Sequence, residues 1–348
     1  MTITAPPKLN SAPEMVSATV RASPIAILSA IFACCASACC AEPPGYYASA
    51  EGKGGQSLRH ALHEIIDAHT VLEYSMTDEA LALTDRDPAD ASRVILIYSR
   101  RSEPALCCTG EWNREHLWPN SLGIDRRLPP YSDLHNLRPA DYDVNSERGH
   151  KSFDESDPSA TEFMDPAHPE SRTSSSDTDS WEPPESIKGD VARAMFYMAI
   201  RYEGGSGEPD LELTDDPSEI TTSGSKMGRL TTLLVWHLVD PVSPEEQLRN
   251  ERVFSRQGNR NPFVDHPEWV TEIWPTPLQL GLQHDATQAG LSWPARIPGA
   301  RLETSKTLGS WEPHHAIPLE SDGMLSTAFD TATSRRQFYR LSLRLSLK

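Results

Sequence analysis

Residues 111–153 read EWNREHLWPNSLGIDRRLPPYSDLHNLRPADYDVNSERGHKSF. Glu115 and His116 stand side by side at the end of a predicted strand. A polar loop with Arg126 and Arg127 follows, then a second predicted strand over 134–138, then a short helix over 141–148 that offers Asn145 and Arg148. Two strands and a helix in this order bring a carboxylate, an imidazole, a carboxamide and several guanidinium groups into one neighbourhood.

That set suits hydrolysis of a phosphodiester. The reaction needs a base to deprotonate water, a divalent cation to neutralise developing charge, and cationic side chains to hold the phosphate. Neutral imidazole accepts a proton near pH 7, which fits His116 to the first task. Glu115 and Asn145 fit the second, because hard Mg²⁺ prefers oxygen ligands and keeps several of its waters. Arg148, with Arg127 and Arg138 beside it, fits the third, since guanidinium matches phosphate bidentately. A lone histidine at a strand end is usually a satisfied polar group; the combination carries the meaning.

Outward from this stretch the chain reads as helix-rich. Leu58, Ala61, Leu62, Ile65 and Ile66 recur at helical spacing over 57–67, and 94–98 (VILIY) predicts a buried strand. Helices are predicted over 187–202 and 230–239. Ser243-Pro244-Glu245-Glu246 is a capping box with Pro at the first helical position, and Gly258 stands where that helix stops. Residues 265–268 (DHPE) open one more helix that ends near Trp274. His63-Glu64 superficially suggests a zinc-protease helix, but Asp67 stands where the second His is required. After Pro275 the pattern changes to period two: Tyr339, Leu341, Leu343, Leu345 and Leu347 alternate with polar residues, and 291–293 and 302–308 are weaker strands.

At the other end, 24–38 (PIAILSAIFACCASA) is apolar, follows Arg21 and runs into small residues ending at Ala41. This is the layout of a secretory signal, too short for a comfortable membrane span. Met15 is an alternative start, and 36–39 loosely matches a lipoprotein cleavage site. Four of the 6 Cys lie in or beside this segment, which leaves Cys107 and Cys108 in the body. Adjacent cysteines close only a strained ring, so no disulfide framework is expected, and no zinc-binding spacing is present.

With REH, DLHNLRP and VNxxRG in this order, the chain resembles the endonuclease I family of bacterial periplasmic and extracellular nucleases. The likeness extends through 44–66, 94–103, 188–202 and 249–274. It implies an α+β fold with a ββα-metal (His-Me finger) core embedded in an α-rich domain over 42–278, after a signal peptide over 1–41. A small β-sandwich-like module over 285–348 follows. It further implies non-specific cleavage of DNA, in some members of RNA, with 5′-phosphate products, by a secreted or periplasmic monomer with no stable protein partner. His116 carries over as general base, and Glu115 and Asn145 as ligands of Mg²⁺, with Mn²⁺ or Ca²⁺ as alternatives. His135 and Asn136 match the second strand, where hydrogen bonding that braces the hairpin is expected. The alternative is a non-catalytic secreted binding protein on a relic nuclease domain, against which the intact Glu115, His116 and Asn145 argue.

Charge first speaks against a polyanionic partner. There are 32 Lys plus Arg against 50 Asp plus Glu, a net charge of −18, and non-specific phosphate affinity comes mainly from basic residues displacing counterions. The acidity is uneven, however. Residues 154–220 hold 18 acidic against 4 basic residues, whereas 93–153 hold 9 basic against 8 acidic. The Ser/Asp/Pro-rich loop 154–186 reads as solvating or as a binder of additional cations, and substrate contact is expected to be weak and local, through metal and a few arginines.

Overall fold

The computed structural model describes residues 42–107, 111–274, 281–284, 288–294, 300–305, 310, 312–314, 318–321, 324–330 and 338–343. The predicted signal segment 1–41 lies outside them. Helices and strands mix as α+β, and no helix among the described residues is long and apolar enough to cross a membrane.

Helix α1 (Gly55–Ile66) buries Leu58, Ala61, Leu62 and Ile66 on one face, as their spacing predicts. Helix α2 (Thr77–Thr84) follows, then β1 (Arg93–Ile95), which pairs antiparallel with β2 (Ser102–Pro104). The predicted strand over 94–98 is thus cut short. Past Ile95 the chain turns, Arg100 N–H bonding back to the Leu96 carbonyl at 3.0 Å, and Ile97 N–H instead bonds the Pro139 carbonyl at 2.8 Å. Apolar content marked burial correctly, since Leu96, Ile97 and Tyr98 are all buried, but it did not distinguish strand from turn.

Strands β3 (Trp112–His116) and β4 (Leu137–Asp141) form an antiparallel pair with Glu115 opposite Arg138 and His116 opposite Leu137. The second strand starts three residues later than 134–138 predicts. Asp133 is the cause: its carboxylate accepts from His135 N–H at 2.9 Å, and its carbonyl accepts from Asn136 and Leu137 N–H, both at 3.0 Å. An Asp bonding the backbone two residues on is a turn former. Helix α3 (Tyr142–Arg148) begins directly after β4, capped by Asp141, whose side chain accepts from Asp143 and Val144 N–H. Gly149 ends it at φ 56°, a left-handed value that suits glycine.

The acidic stretch is not a featureless loop. Strands β5 (Ser152–Phe153), β6 (Ser175–Ser176) and β7 (Ser180–Glu182) make a three-stranded sheet, with β5 parallel and β6 antiparallel to β7. Several of its carboxylates pair with the protein's own cations. Lys188 lies within 3.1 Å of Glu155, 2.7 Å of Glu182 and 3.0 Å of Glu185, and Arg229 bridges Asp154 and Asp179.

Helix α4 (Lys188–Arg201) is buried on nearly every side and packs against α1 and α5 (Leu230–Val239), which makes it the axis of the main core. A minor pair, β8 (Glu212–Leu213) and β9 (Lys226–Met227), lies between these helices in sequence. Helix α6 (Pro244–Gln257) has the predicted ends: Ser243 Oγ accepts from Glu246 N–H at 3.1 Å, and Gly258 sits at φ 83°. The helix predicted to open at 265–268 and end near Trp274 is α8 (Trp269–Ile273), and a further short helix, α7 (Pro262–Asp265), precedes it, with Pro267, which lacks an N–H, between the two.

Beyond residue 280 the predicted period-two segments are strands. One sheet orders β10 (Gly281–His284), β11 (Gln288–Pro294), β15 (Met324–Asp330) and β14 (Leu319–Ser321); another orders β13 (Glu312–Pro313), β12 (Ala300–Ser305) and β16 (Phe338–Leu343). Leu291 and Leu302, one from each sheet, are buried with Leu325 and Leu341 packed on them. Residues 306–308 and 344–347 of the predicted strands lie outside the described residues.

Cys107 is disulfide-bonded, where no disulfide framework is expected from the sequence.

Candidate active site

The end of β3 and one turn of α3 meet at a cavity of about 410 Å³ lined by Glu115, His116 and Asn145, together with Arg114, Tyr74 and Tyr131. Three of the predicted site residues therefore share one polar cavity, although they come from two elements and span thirty positions of sequence.

Each is held by specific bonds. Glu115 is 2% exposed; its Oε1 accepts from Tyr98 O–H at 2.7 Å and from Arg148 Nη1 at 3.0 Å. Burial pushes its pKa up, while Arg148 and the Tyr98 bond pull the other way. Both of these side-chain bonds fall on Oε1, and the His116 backbone N–H adds a further contact to the carboxylate. Asn145 Nδ2 donates to Asn113 Oδ1 at 2.6 Å and to the Arg114 carbonyl. Its amide orientation is thereby set, and Oδ1, an acceptor, is the atom left for a ligand.

His116 Nε2 lies 2.9 Å from the Tyr131 carbonyl. A carbonyl only accepts, so Nε2 carries the proton and Nδ1 holds the lone pair. Burial, reinforced by Arg114 and Arg148 and opposed by the Tyr131 bond, lowers the ring's pKa to about 4. The imidazole is neutral in neutral solution. Tyr131 closes a short 3-10 turn (Pro129–Tyr131), in which two prolines preset the backbone of the loop that supplies this carbonyl.

No group of three or more His, Cys, Asp or Glu side chains among the described residues could hold a metal ion. A cation in this cavity would have the Glu115 carboxylate and the Asn145 carboxamide as protein ligands. Two hard oxygens, with room for water and a phosphate, fit a divalent cation of the Mg²⁺ type.

The predicted phosphate ligands need correction. Arg148 is fully buried: Nη1 donates to Glu115 and to the His116 carbonyl, Nη2 to the Leu117 carbonyl at 2.7 Å, and the guanidinium lies 4.5 Å from the centre of the Phe153 ring. It positions Glu115 and cannot reach a substrate. Arg138 is also buried and pairs with Asp85 at 2.7 Å. Arg127 is exposed but gripped by Asp125 through two bonds of 3.0 and 2.6 Å, and it lines a neighbouring cavity. Asn136 Oδ1 accepts from Trp118 N–H at 2.7 Å and ties the approach to β4 to the segment that follows β3. His135 lies away from the cavity, buried against Tyr197 with ring centroids 4.2 Å apart.

Sequence reasoning missed four participants. Arg114 lines the cavity two residues before His116, on the same face of β3 by strand alternation. Its guanidinium lies 3.9 Å from the centre of the Tyr74 ring, with only Nη1 engaged, by the Tyr74 carbonyl, Thr77 Oγ1 and, at 3.7 Å, the Asp78 carboxylate. The i, i+2 spacing of Arg114 and His116 was the available signal. Asn113, Tyr98 and Tyr131 act on the site residues through contacts that carry no sequence signature.

A carboxylate and a carboxamide oxygen beside a neutral imidazole and a guanidinium, all on one polar cavity in an α+β domain, define a hydrolase of the nuclease class. The Endonuclease I family model matches residues 54–268, and the chain belongs to this family. It is 47% identical over 241 residues to the extracellular ribonuclease of Bacillus amyloliquefaciens, covering 67% of this chain and 79% of that protein. It is 46% identical over 242 residues to the extracellular ribonuclease of Bacillus subtilis (strain 168), covering 68% and 80%. Endonuclease-1 of Buchnera aphidicola subsp. Acyrthosiphon pisum is 26% identical over 136 residues, 38% of this chain and 44% of that protein. The protein is a nuclease.

Proposed function

We propose that the protein is a secreted, divalent-cation-dependent endonuclease that hydrolyses phosphodiester bonds of RNA and DNA and leaves 5′ phosphates. The observation that carries this reading is the hydrogen bond from His116 Nε2 to the Tyr131 carbonyl, which leaves Nδ1 as a base in the same cavity as two oxygen ligands. The two-strand-and-helix unit of β3, β4 and α3 is read as a ββα-metal core. The nuclease domain is assigned to 42–278 and a β-sandwich-like module to 285–348.

In the proposed step, His116 Nδ1 takes a proton from water, whose oxygen attacks phosphorus as the bond from phosphorus to O3′ breaks. O3′ leaves with a proton from solvent, and the phosphate stays on the 5′ side. Arg114 replaces Arg148 as the cation beside the reacting phosphate, since its Nε and Nη2 have no protein partner among the described residues. A bound divalent cation, held by Glu115 and Asn145, would neutralise charge at the phosphate and the leaving oxygen. Water as nucleophile makes the 2′-hydroxyl unnecessary, so one site serves both RNA and DNA. The names of the Bacillus relatives support RNA as a substrate, and with the apolar segment 24–38 they support secretion.

Plasmid DNA and RNA incubated with the purified protein in Mg²⁺, then in EDTA, test the reading. Both substrates are cut only with the cation, RNA products end in 5′ phosphate, and His116→Ala loses about 10²–10⁴-fold in rate. A His116→Ala protein that cuts at the wild-type rate overturns the mechanism.

A further inference from the structure

The catalytic cavity is not isolated. Asn120, Ser121 and Tyr131 line both it and a cavity of about 640 Å³ that also holds Arg126 and Arg127. On the other side His150 lines both the catalytic cavity and a smaller one of about 170 Å³, whose wall includes Lys151. Shared walls make the three cavities neighbours in a fixed order, with His116 in the middle one.

We propose that these cavities form one groove that holds a polynucleotide strand on both sides of the cleaved bond, with Arg126 and Lys151 as its two outer phosphate contacts. This rests on the endonuclease reading above. Each end of the groove carries both signs, Arg126 and Arg127 with Asp125 at one and Lys151 with Asp179 at the other, in a chain whose net charge is −18. Arg126 is exposed, and among the described residues no hydrogen bond or close ion pair holds it, the Asp125 carboxylate acting on it only at longer range. Arg127, its neighbour, is neutralised by Asp125 and contributes less. Lys151 has only long contacts, 3.5 Å to Glu147 and 3.4 Å to Ser176 Oγ, which a phosphate can displace. A groove that continues past the reacting bond in both directions binds the interior of a chain and needs no free end.

The test uses single-stranded oligonucleotides from dinucleotide length upward. With the wild-type protein in Mg²⁺, kcat/KM rises with length and then levels. In the Arg126→Ala/Lys151→Gln double variant most of that rise is lost, by roughly tenfold for each contact removed. Placing the same two changes in the His116→Ala background permits Kd to be measured without cleavage. The slope of log Kd against log salt becomes shallower by about 0.7 for each lost phosphate contact. Lys53→Ala, which removes an exposed charge that lines none of the three cavities, keeps both the rise and the slope. A wild-type kcat/KM that is flat from the dinucleotide upward overturns the groove while leaving the endonuclease reading intact. So does a double variant with the wild-type rise and salt slope. If the wild-type protein cuts no oligonucleotide of any length, the endonuclease reading falls and the groove with it.

Discussion

The Arg148 guanidinium meets the Glu115 carboxylate at 3.0 Å, and neither side chain is open to solvent. A buried pair of this kind is costly to break from one side, because the remaining charge is left without its partner. Removing one member of such a pair typically destabilises by about 3–5 kcal/mol. Arg148→Ala is therefore expected to lower the urea midpoint and kcat together, and Arg148→Lys, which loses the planar fork, to fall between. An Arg148→Ala protein with unchanged unfolding and only a raised KM would return this residue to substrate binding.

Asn113 acts on the site through Asn145. Its Oδ1 accepts from Asn145 Nδ2 at 2.6 Å, and losing that acceptor frees the carboxamide to rotate. Partners that orient a metal ligand typically matter by about 10–100-fold in affinity. Titrating Mg²⁺ calorimetrically into Asn113→Ala without substrate should show a loss of that size, with Asn113→Asp retaining more. Equal affinity in all three proteins would separate Asn113 from the cation.

Arg114 is assigned to the phosphate. Arg114→Met is expected to reduce kcat/KM by about 10–100-fold, the range of a lost hydrogen bond to a charged group, with Arg114→Lys recovering part. Wild-type kinetics in Arg114→Met would restrict this arginine to its packing on Tyr74.

Acid should weaken the fold through histidines held neutral. His237 Nε2 donates to the Pro267 carbonyl at 3.0 Å. Burial first, then Arg193, lowers its pKa from 6.5 to about 4. The unfolded chain takes up this proton near pH 6.5, while the folded protein resists until about pH 4. The contribution is thus complete above pH 6.5, lost as pH falls toward 4, and level below. The slope reaches at most about 1.4 kcal/mol per pH unit for one such group. His116 and His135 act in the same direction. Urea midpoints between pH 7 and pH 4 should fall less steeply in His237→Gln than in wild type, and parallel curves would remove His237 from the account.

Local patterns in the sequence were enough for the elements that local physics controls. The Ser243 cap, the Pro244 start and the Gly258 stop of α6 lie within a few residues of what they terminate, and the buried face of α1 follows from spacing alone. The strand ends at Leu137 and Ile95 were less legible, because one depends on the Asp133 turn and the other on a bond from Ile97 to Pro139. The order REH, DLHNLRP, VNxxRG determined the family and the residues that meet in the cavity. What only the tertiary structure decided is where each arginine lies and what it is paired with. Guanidinium groups look alike in a sequence, yet their chemistry depends on what surrounds them. Arg148 and Arg138 fold inward onto Glu115 and Asp85, Arg127 is held by Asp125, and Arg114 and Arg126 remain at the walls with donors to offer. Burial and pairing set those roles, and both arise from contacts between residues distant in the chain.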